Sequence, residues 1–319
     1  MKKIFVGIAA LCLATSFASP AFADDDKIEI RSKAITGAVP MDPNSHAWDG
    51  VKYLMVGMSP QNLVAPGLAE GTVPNVKVKS VHNDKEIAYL LEWYDATEDD
   101  TETMMDKFSD AAAMMFPVKQ KTEPSFMMGD ADNPVQIIYW KAAWQKDIDK
   151  GYQDVRDAYP NYNYDSYPMV DTMVDAKGNK IVVKDNEIYK PVDPQDRAIN
   201  TPIGKYSDAA KGYLPGLAVK NPRSRIDRTT PVEELNAVGF GTLTTQADSK
   251  ANGKGVRSFG YWKVVITHPL KAEYTGQDAD LTAGDHFITA IAIWDGSKKN
   301  RAGRKNFSNG GWISLYMEK

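Results

Sequence analysis

The sequence predicts a mainly β fold: an antiparallel β-sandwich with short helices and a long irregular insertion. Two observations carry this prediction. Apolar and polar residues alternate with period two along several segments, as they do in strands with one buried face. These segments follow one another without the regular intervening helices that build a parallel sheet.

The clearest strand pair lies in the first third of the chain. Residues 76–79 and 87–93 both alternate, and residues 82–85 between them have turn chemistry, so the three segments predict a β-hairpin. Five more segments have the apolar and aromatic composition of strands: residues 111–118, 135–140, 259–267, 287–294 and 312–317. Helical periodicity is weak, and only short helices are expected, near residues 102–108 and 144–158.

The N-terminus has the features of a secretory signal peptide. Lys2 and Lys3 precede a short apolar run, and Ala21-Phe22-Ala23 forms a small-residue cleavage site. The run is too short to remain as a membrane span, and no later apolar stretch is long enough for one. We therefore expect residues 1–23 to be removed and residues 24–319 to form one domain in the periplasm.

The composition excludes several functions. The only cysteine, Cys12, lies in the signal peptide, so the mature chain has no thiolate ligand, disulfide or covalent haem attachment motif. A formal net charge of -4 argues against a nucleic-acid partner. Residues from about 145 to 238 are rich in Pro, Asp and Tyr with little periodicity, and they predict an insertion in the single domain.

Conventional catalytic motifs are absent from the sequence. It has no P-loop, dinucleotide fingerprint, nucleophile elbow or zinc motif, and its four histidines lack ligand spacing. The acidic run Glu98-Asp99-Asp100 has the oxygen ligands that calcium takes, but it is more typical of a solvated loop.

Two features of the sequence have a second interpretation besides packing and solvation. Methionines occur in two pairs, Met114-Met115 and Met127-Met128, and thioether sulfur is a soft ligand for haem iron as well as a core filler. Residues 294–308 form a glycine-containing loop with five cations, which by itself predicts an exposed turn between two strands.

Six short blocks occur in a characteristic order. They are Trp93-Tyr94-Asp95, residues 110–117, Met128-Gly129-Asp130 with Pro134-Val135, residues 139–142, residues 262–265 with Pro269-Leu270, and residues 292–296 with Gly303-Arg304-Lys305. This series resembles the haem-b-binding gamma subunits of periplasmic molybdenum oxidoreductases. These include the gamma subunits of ethylbenzene dehydrogenase, dimethyl sulfide dehydrogenase, selenate reductase, chlorate reductase and nitrite oxidoreductase. The resemblance covers residues 45–145 and 255–319, whereas the segment from 145 to 238 matches poorly.

The resemblance implies a β-sandwich that holds one non-covalent haem b between a methionine and a lysine. By motif these are Met128 and Lys305, with Met127 and Met114 as alternatives for the methionine. The resemblance also suggests Arg301 and Arg304 as candidate partners of the haem propionates.

The family would make this chain an electron-transfer subunit without catalytic activity of its own. Its expected partners are an iron–sulfur beta subunit, a molybdenum-cofactor alpha subunit and an external carrier such as a soluble cytochrome c. The insertion favours the nitrite oxidoreductase or nitrate reductase branch. One alternative is a secreted carbohydrate-binding module without haem, in which Trp93, Trp140 and Trp144 form a stacking platform. A second alternative is a purely structural subunit that has lost its haem.

Overall fold

The computed structural model describes residues 29–119, 122–161, 216, 219 and 221–319. The predicted signal peptide with Cys12, and most of the predicted insertion, lie outside these residues. The described strands are β1 Glu29–Ala34, β2 Tyr53–Pro60, β3 Asn75–His82, β4 Glu86–Tyr94, β5 Ala111–Pro117, β6 Val135–Lys141, β7 Val232–Ala237, β8 Thr244–Thr245, β9 Asn252–Ser258, β10 Tyr261–Pro269, β11 His286–Trp294, β12 Asn306–Ser308 and β13 Ile313–Met317. Two described α-helices follow β6: α1 Ala142–Lys150 and α2 Val155–Ala158.

The strands form a β-sandwich, as the alternating sequence pattern predicts. One layer has the order β9-β10-β4-β3, with β1 and β13 beyond β3, and the other has the order β8-β7-β6-β5-β11-β12. Most neighbouring strands are antiparallel, but β1 pairs in parallel with both β3 and β13. The sandwich is therefore mixed at this point, because β1 lies between two strands that run in its own direction.

Two strands pass from one layer to the other. In β11, residues 286–289 pair with β13, whereas residues 290–294 pair with β5. In β2, residues 53–57 pair with β3, whereas residues 58–60 pair with β12. The two layers are thus joined through continuous hydrogen bonding along one side of the sandwich.

The main core fills the space between the layers. The inward side chains of β3, β4 and β10 face those of β5, β6 and β11, and most of them are completely buried. At one end, three tryptophans pack together, with ring centroids 5.0 Å apart for Trp140 and Trp262 and 6.3 Å apart for Trp93 and Trp140. Burial of this apolar area is the main stabilising contribution to the fold.

The predicted β-hairpin is confirmed as β3 and β4. The side-chain oxygen of Asn83 accepts hydrogen bonds from the backbone N–H groups of Lys85 and Glu86, each at 2.8 Å, and so closes the turn. The five other predicted strands correspond to β5, β6, β10, β11 and β13.

The helix prediction holds in only one of two places. Residues 102–108 form bends and a turn rather than a helix. Near residues 144–158 the chain is helical but interrupted, because Gly151 ends α1 with a positive φ of 87°. No helix in the described part of the chain is long and apolar enough to cross a bilayer. Strand β7 falls within the range predicted as an insertion, and it pairs with β6 as part of the sandwich.

Candidate functional site

The outer side of the second layer carries a separate apolar surface. Because strand residues alternate, Ala112, Met114 and Phe116 of β5 face the main core, and the intervening residues face outwards. We call this outward set the outer-face cluster; its members are Ala111, Ala113, Met115, Val135, Ile137, Leu235, Ala237, Ala290, Ala292 and Trp294. All ten are buried, and half of them are alanines. Met128, Tyr139 and Trp312 pack against it and are half-buried.

Lys305 lies at the rim of the outer-face cluster. Its Nζ is 5.3 Å from the centroid of the Trp294 ring, and Trp294 is a member of the cluster. Among the described residues, this ammonium group has no hydrogen-bond or ion-pair partner. Burial lowers the pKa of Lys305 to about 8 because the charged form is poorly solvated. Lys305 is therefore much easier to deprotonate than an ordinary surface lysine.

The loop before Lys305 is held by specific contacts. Arg301 and Arg304 exchange two backbone hydrogen bonds of 3.0 and 2.9 Å, which close a tight turn. Trp294 Nε1 donates to the carbonyl of Ala302 at 3.0 Å, and the Gln61 N–H donates to the Lys305 carbonyl at 2.9 Å. The backbone at Lys305 is thus fixed on both sides, although the loop sequence alone predicts an exposed turn.

Met128 is held beside the same cluster by a strained loop. It has a positive φ of 75°, which is uncommon for a residue with a side chain. Its carbonyl accepts a hydrogen bond of 2.9 Å from the N–H of Gly239, just beyond β7. The next residue, Gly129, has φ 80°, and a Cβ there would lie 2.8 Å from the carbonyl oxygen of Asn133. Such strain persists only where surrounding contacts impose it, and functional sites are one such place.

The two alternative methionines have different environments. Met114 is fully buried in the main core, on the opposite side of β5 from the outer-face cluster. Met127 is half-buried, but it is Met128 that packs against the cluster. Met128 and Lys305 therefore share one face of the sandwich.

The two candidate propionate partners differ in exposure. Arg301 is exposed, with its Cζ 5.9 Å from the centroid of the Phe108 ring, and Arg304 is half-buried in the tight turn. Lys298 and Lys299 on the same loop are exposed.

A buried ion pair lies beside the cluster at the end of β6. Lys141 Nζ donates to the Glu233 carboxylate, and it lies 4.9 Å from the Tyr139 ring and 4.0 Å from the Trp144 ring. Burial lowers the pKa of Lys141, although the nearby Glu233 carboxylate acts in the opposite direction. Tyr139 in turn packs on Trp294, with ring centroids 4.8 Å apart. These contacts give the outer-face cluster a rigid aromatic edge.

The residues present fit an iron-bound haem. A lysine binds iron only as the neutral amine, and a half-buried lysine without a polar partner meets that requirement better than a fully solvated one. A thioether is the second donor that the sequence predicted, and both donors lie beside the apolar outer-face cluster. The sequence did not predict the alanines of the outer-face cluster, Tyr139 or Trp294 as parts of the site. The period-two alternation of β5 and β11 was the available signal.

The predicted carbohydrate platform is not formed by the three tryptophans proposed for it. Trp93, Trp140 and Trp144 are 1%, 0% and 6% exposed. Trp93 and Trp140 belong to the main core, and Trp144 lies between Lys141 and the guanidinium of Arg228, which is 3.8 Å from its ring centroid. Trp93 and Trp140 lie on strands β4 and β6, and Trp144 lies on α1.

The fold and the site together define a β-sandwich protein with a half-buried amine and a thioether beside one small-residue cluster. The chain belongs to the ethylbenzene dehydrogenase family, whose profile matches residues 45–306. This confirms the family that the six sequence blocks predicted.

Two curated relatives are similar to this chain. One is a proposed respiratory nitrate reductase heme subunit, ORF7, of Haloferax mediterranei, which is 22% identical over 269 residues, or 84% of this chain and 66% of that protein. The other is the chlorate reductase subunit gamma of Ideonella dechloratans, 25% identical over 145 residues, or 44% of this chain and 60% of that protein. The chain thus spans less than two thirds of each relative.

A solved structure shows a weaker likeness. A carbohydrate binding module family 9 from Caldicellulosiruptor kristjanssonii, in complex with glucose, is 8% identical and has a TM-score of 0.38. The alignment covers 91% of this chain and 95% of that one. A likeness of this size says nothing about function.

Proposed function

We propose that this protein is a non-catalytic electron-transfer subunit that binds one non-covalent haem b on the outer-face cluster. Lys305 and Met128 would bind its iron. The observation that carries the proposal is the environment of Lys305: a half-buried amine without a polar partner among the described residues, beside Trp294 and on the same face as Met128. Haem b supplies reversible one-electron chemistry when it is bound.

The residues of this chain have three tasks in that function. Lys305 gives up its proton and offers a lone pair, which burial makes easier. Met128 offers a thioether, which favours the reduced metal and so raises the reduction potential. The apolar members of the outer-face cluster exclude water. With both ligands supplied by the protein, no position remains for a substrate, and this supports electron transfer rather than catalysis.

The partners follow from the family and from the names of the relatives. We propose an iron–sulfur beta subunit and a molybdenum-cofactor alpha subunit in the periplasm, with a soluble cytochrome c or a similar carrier as the external partner. A nitrite oxidoreductase or nitrate reductase complex is our preferred setting. The Haloferax mediterranei relative, which is named as a nitrate reductase haem subunit, supports that choice.

One spectrum of the mature chain tests the proposal. Protein purified from its native compartment, or refolded with added haem, should show a Soret band and a low-spin ferric spectrum. Acid acetone should extract the haem, because the mature chain has no cysteine to hold it covalently. Protein that binds no haem under either condition would contradict the proposal, and saccharide binding by such protein would favour the carbohydrate-binding alternative.

A further inference from the structure

Three buried aspartates meet at one end of the sandwich. Asp95 directly follows β4, Asp110 directly precedes β5, and Asp295 directly follows β11. Their side chains are 5%, 0% and 7% exposed in that order. One carboxylate oxygen from each lies within 4.8 Å of the other two. Three carboxylates in so small a buried space repel one another strongly.

Hydrogen bonds satisfy only some of the carboxylate oxygens in this group. The Asp110 carboxylate accepts hydrogen bonds from the N–H of Gly296 at 2.8 Å and from Trp262 Nε1 at 2.9 Å. Asp95 accepts from the N–H of Thr97 through Oδ1, at 3.1 Å. Its other oxygen, Oδ2, is buried and has no hydrogen-bond partner. A buried carboxylate oxygen without a partner is costly and needs a positive charge or a donor.

Basic side chains among the described residues do not pair with these three carboxylates. Among the described residues, no Lys or Arg nitrogen lies within 4.0 Å of the three carboxylates. The nearest cationic influence on Asp95 is Arg257, whose Nη2 donates to the Asp95 backbone carbonyl at 2.7 Å rather than to the carboxylate. Burial, and then repulsion by neighbouring carboxylates, raise the pKa of Asp95 to about 6. Burial, and then repulsion by the Asp95 carboxylate, raise the pKa of Asp110 to about 8.

We propose that Asp95, Asp110 and Asp295 bind one calcium ion. All three donors are oxygens, and no histidine or cysteine belongs to the group, so the site suits a hard cation rather than zinc. Calcium tolerates irregular ligand geometry, which fits donors that come from three separate strand ends. Three carboxylates, one divalent cation and the Arg257 guanidinium together carry no net charge. The partnerless oxygen of Asp95 then becomes a ligand.

The position of the ion would give it a structural role. It joins the ends of β4, β5 and β11, and Asp295 begins the loop that ends at Lys305. The packing leaves little room there, because a Cβ on Gly296 would lie 2.0 Å from the carbonyl of Phe108. The calcium proposal does not depend on haem binding, and it can be tested on the full chain with or without haem.

The test uses full-length protein that has been treated with a chelator. Calcium binding is measured by calorimetric titration, and the melting temperature is measured with and without calcium. The wild type should bind one calcium ion and melt several degrees higher at millimolar calcium, because a ligand of the folded state stabilises it. Asp95→Asn should weaken calcium binding by about tenfold or more, since it removes one of three charged ligands. The control Asp248→Asn removes an exposed aspartate that pairs with Lys250, and it should bind calcium as the wild type does.

Two outcomes would overturn the proposal. The first is wild-type protein that neither binds calcium nor melts at a higher temperature in its presence, which would mean that the aspartates share protons instead. The second is an Asp95→Asn variant that retains wild-type affinity, which would place calcium elsewhere. Asp95→Asn should fold, because it keeps an oxygen acceptor for Thr97 and removes one repelling charge. Asp295→Asn provides a second, independent variant with the same expected loss.

Discussion

The ammonium nitrogen of Lys305 faces the Trp294 ring at 5.3 Å, and no carboxylate pairs with it in the described part of the chain. A surface lysine normally keeps its charge because water solvates it. Here an aromatic ring and an apolar cluster displace part of that water, so the neutral amine becomes accessible near physiological pH. Four predictions follow from this environment and from that of Met128.

Replacing Lys305 by alanine should change the spin state of the bound haem. Loss of one strong axial ligand leaves the ferric iron five-coordinate or water-bound, so the low-spin spectrum should become high-spin in the Lys305→Ala variant. Visible absorption and electron paramagnetic resonance would measure this change. Lys298→Ala is the matched control, because Lys298 lies on the same loop and is exposed. A low-spin spectrum in Lys305→Ala would show that another residue is the ligand.

Replacing Met128 should lower the reduction potential. A thioether stabilises ferrous iron, so Met128→Ala should shift the midpoint potential downwards by on the order of 100 mV. The shift is measured by a redox titration of the visible spectrum. Met127→Ala controls for the neighbouring methionine and should leave the potential close to that of the wild type. If Met127→Ala gave the larger shift, the ligand assignment would move by one residue.

The stability of the haem-free chain should depend on Lys305 and on pH. Because the pKa of Lys305 falls from 10.5 to about 8 on folding, the folded state carries a poorly solvated charge at all pH values below about 8. Between these two values the unfolded state binds more protons, so this lysine's destabilising effect is relieved as the pH rises. Lys305→Met should therefore raise the free energy of unfolding by on the order of 1–3 kcal/mol at pH 7.

The advantage of Lys305→Met should shrink as the pH approaches 10. Denaturant unfolding of the variant and the wild type at pH 7, 8.5 and 10 would measure this trend. Lys298→Met should show no such trend, since Lys298 is exposed. An advantage that stayed constant across this range would mean that the variant acts through packing alone.

A methyl group at Gly129 should disturb the loop that holds Met128. Gly129 and Gly37 both have positive φ values, 80° and 91°, but a Cβ at Gly37 would meet nothing within 4 Å. Gly37→Ala therefore measures the conformational cost alone, about 1 kcal/mol. Gly129→Ala adds a clash with the carbonyl of Asn133 and should cost about 1–3 kcal/mol more. Thermal unfolding and haem content would test this difference, and equal losses in the two variants would contradict it.

The strand pattern could be predicted from sequence because it depends on local alternation. The turn at Asn83 and the alternation of β3 and β4 are encoded within some twenty residues. Six described strands were not predicted: β1, β2, β7, β8, β9 and β12. They are short, partly exposed, or rich in charge and glycine. They form because a neighbouring strand offers hydrogen bonds. Tertiary pairing of that kind has no local signature.

The candidate site, too, could be predicted from the sequence only in part. Motif order suggested Met128 and Lys305, but only the fold shows that Met114 faces the main core while Met128 packs on the outer-face cluster. The depressed pKa of Lys305 depends on Trp294 and the burial around it, and neither follows from a loop with five cations. The three aspartates are distant in sequence, at positions 95, 110 and 295, so no spacing rule predicts that they meet.

The position of β1 has a consequence for how the chain acquires its structure. This first described strand lies between β3 and β13, the last strand along the sequence, and its residues Glu29–Ser32 pair with Ser314–Met317. The segment around Ser314 must therefore reach β1 before that strand can gain its second neighbour. Contacts between such distant segments slow folding, since a long loop must close first. A chain cut before Ile313 should therefore leave one edge of β1 without its hydrogen-bonding neighbour and fold less stably.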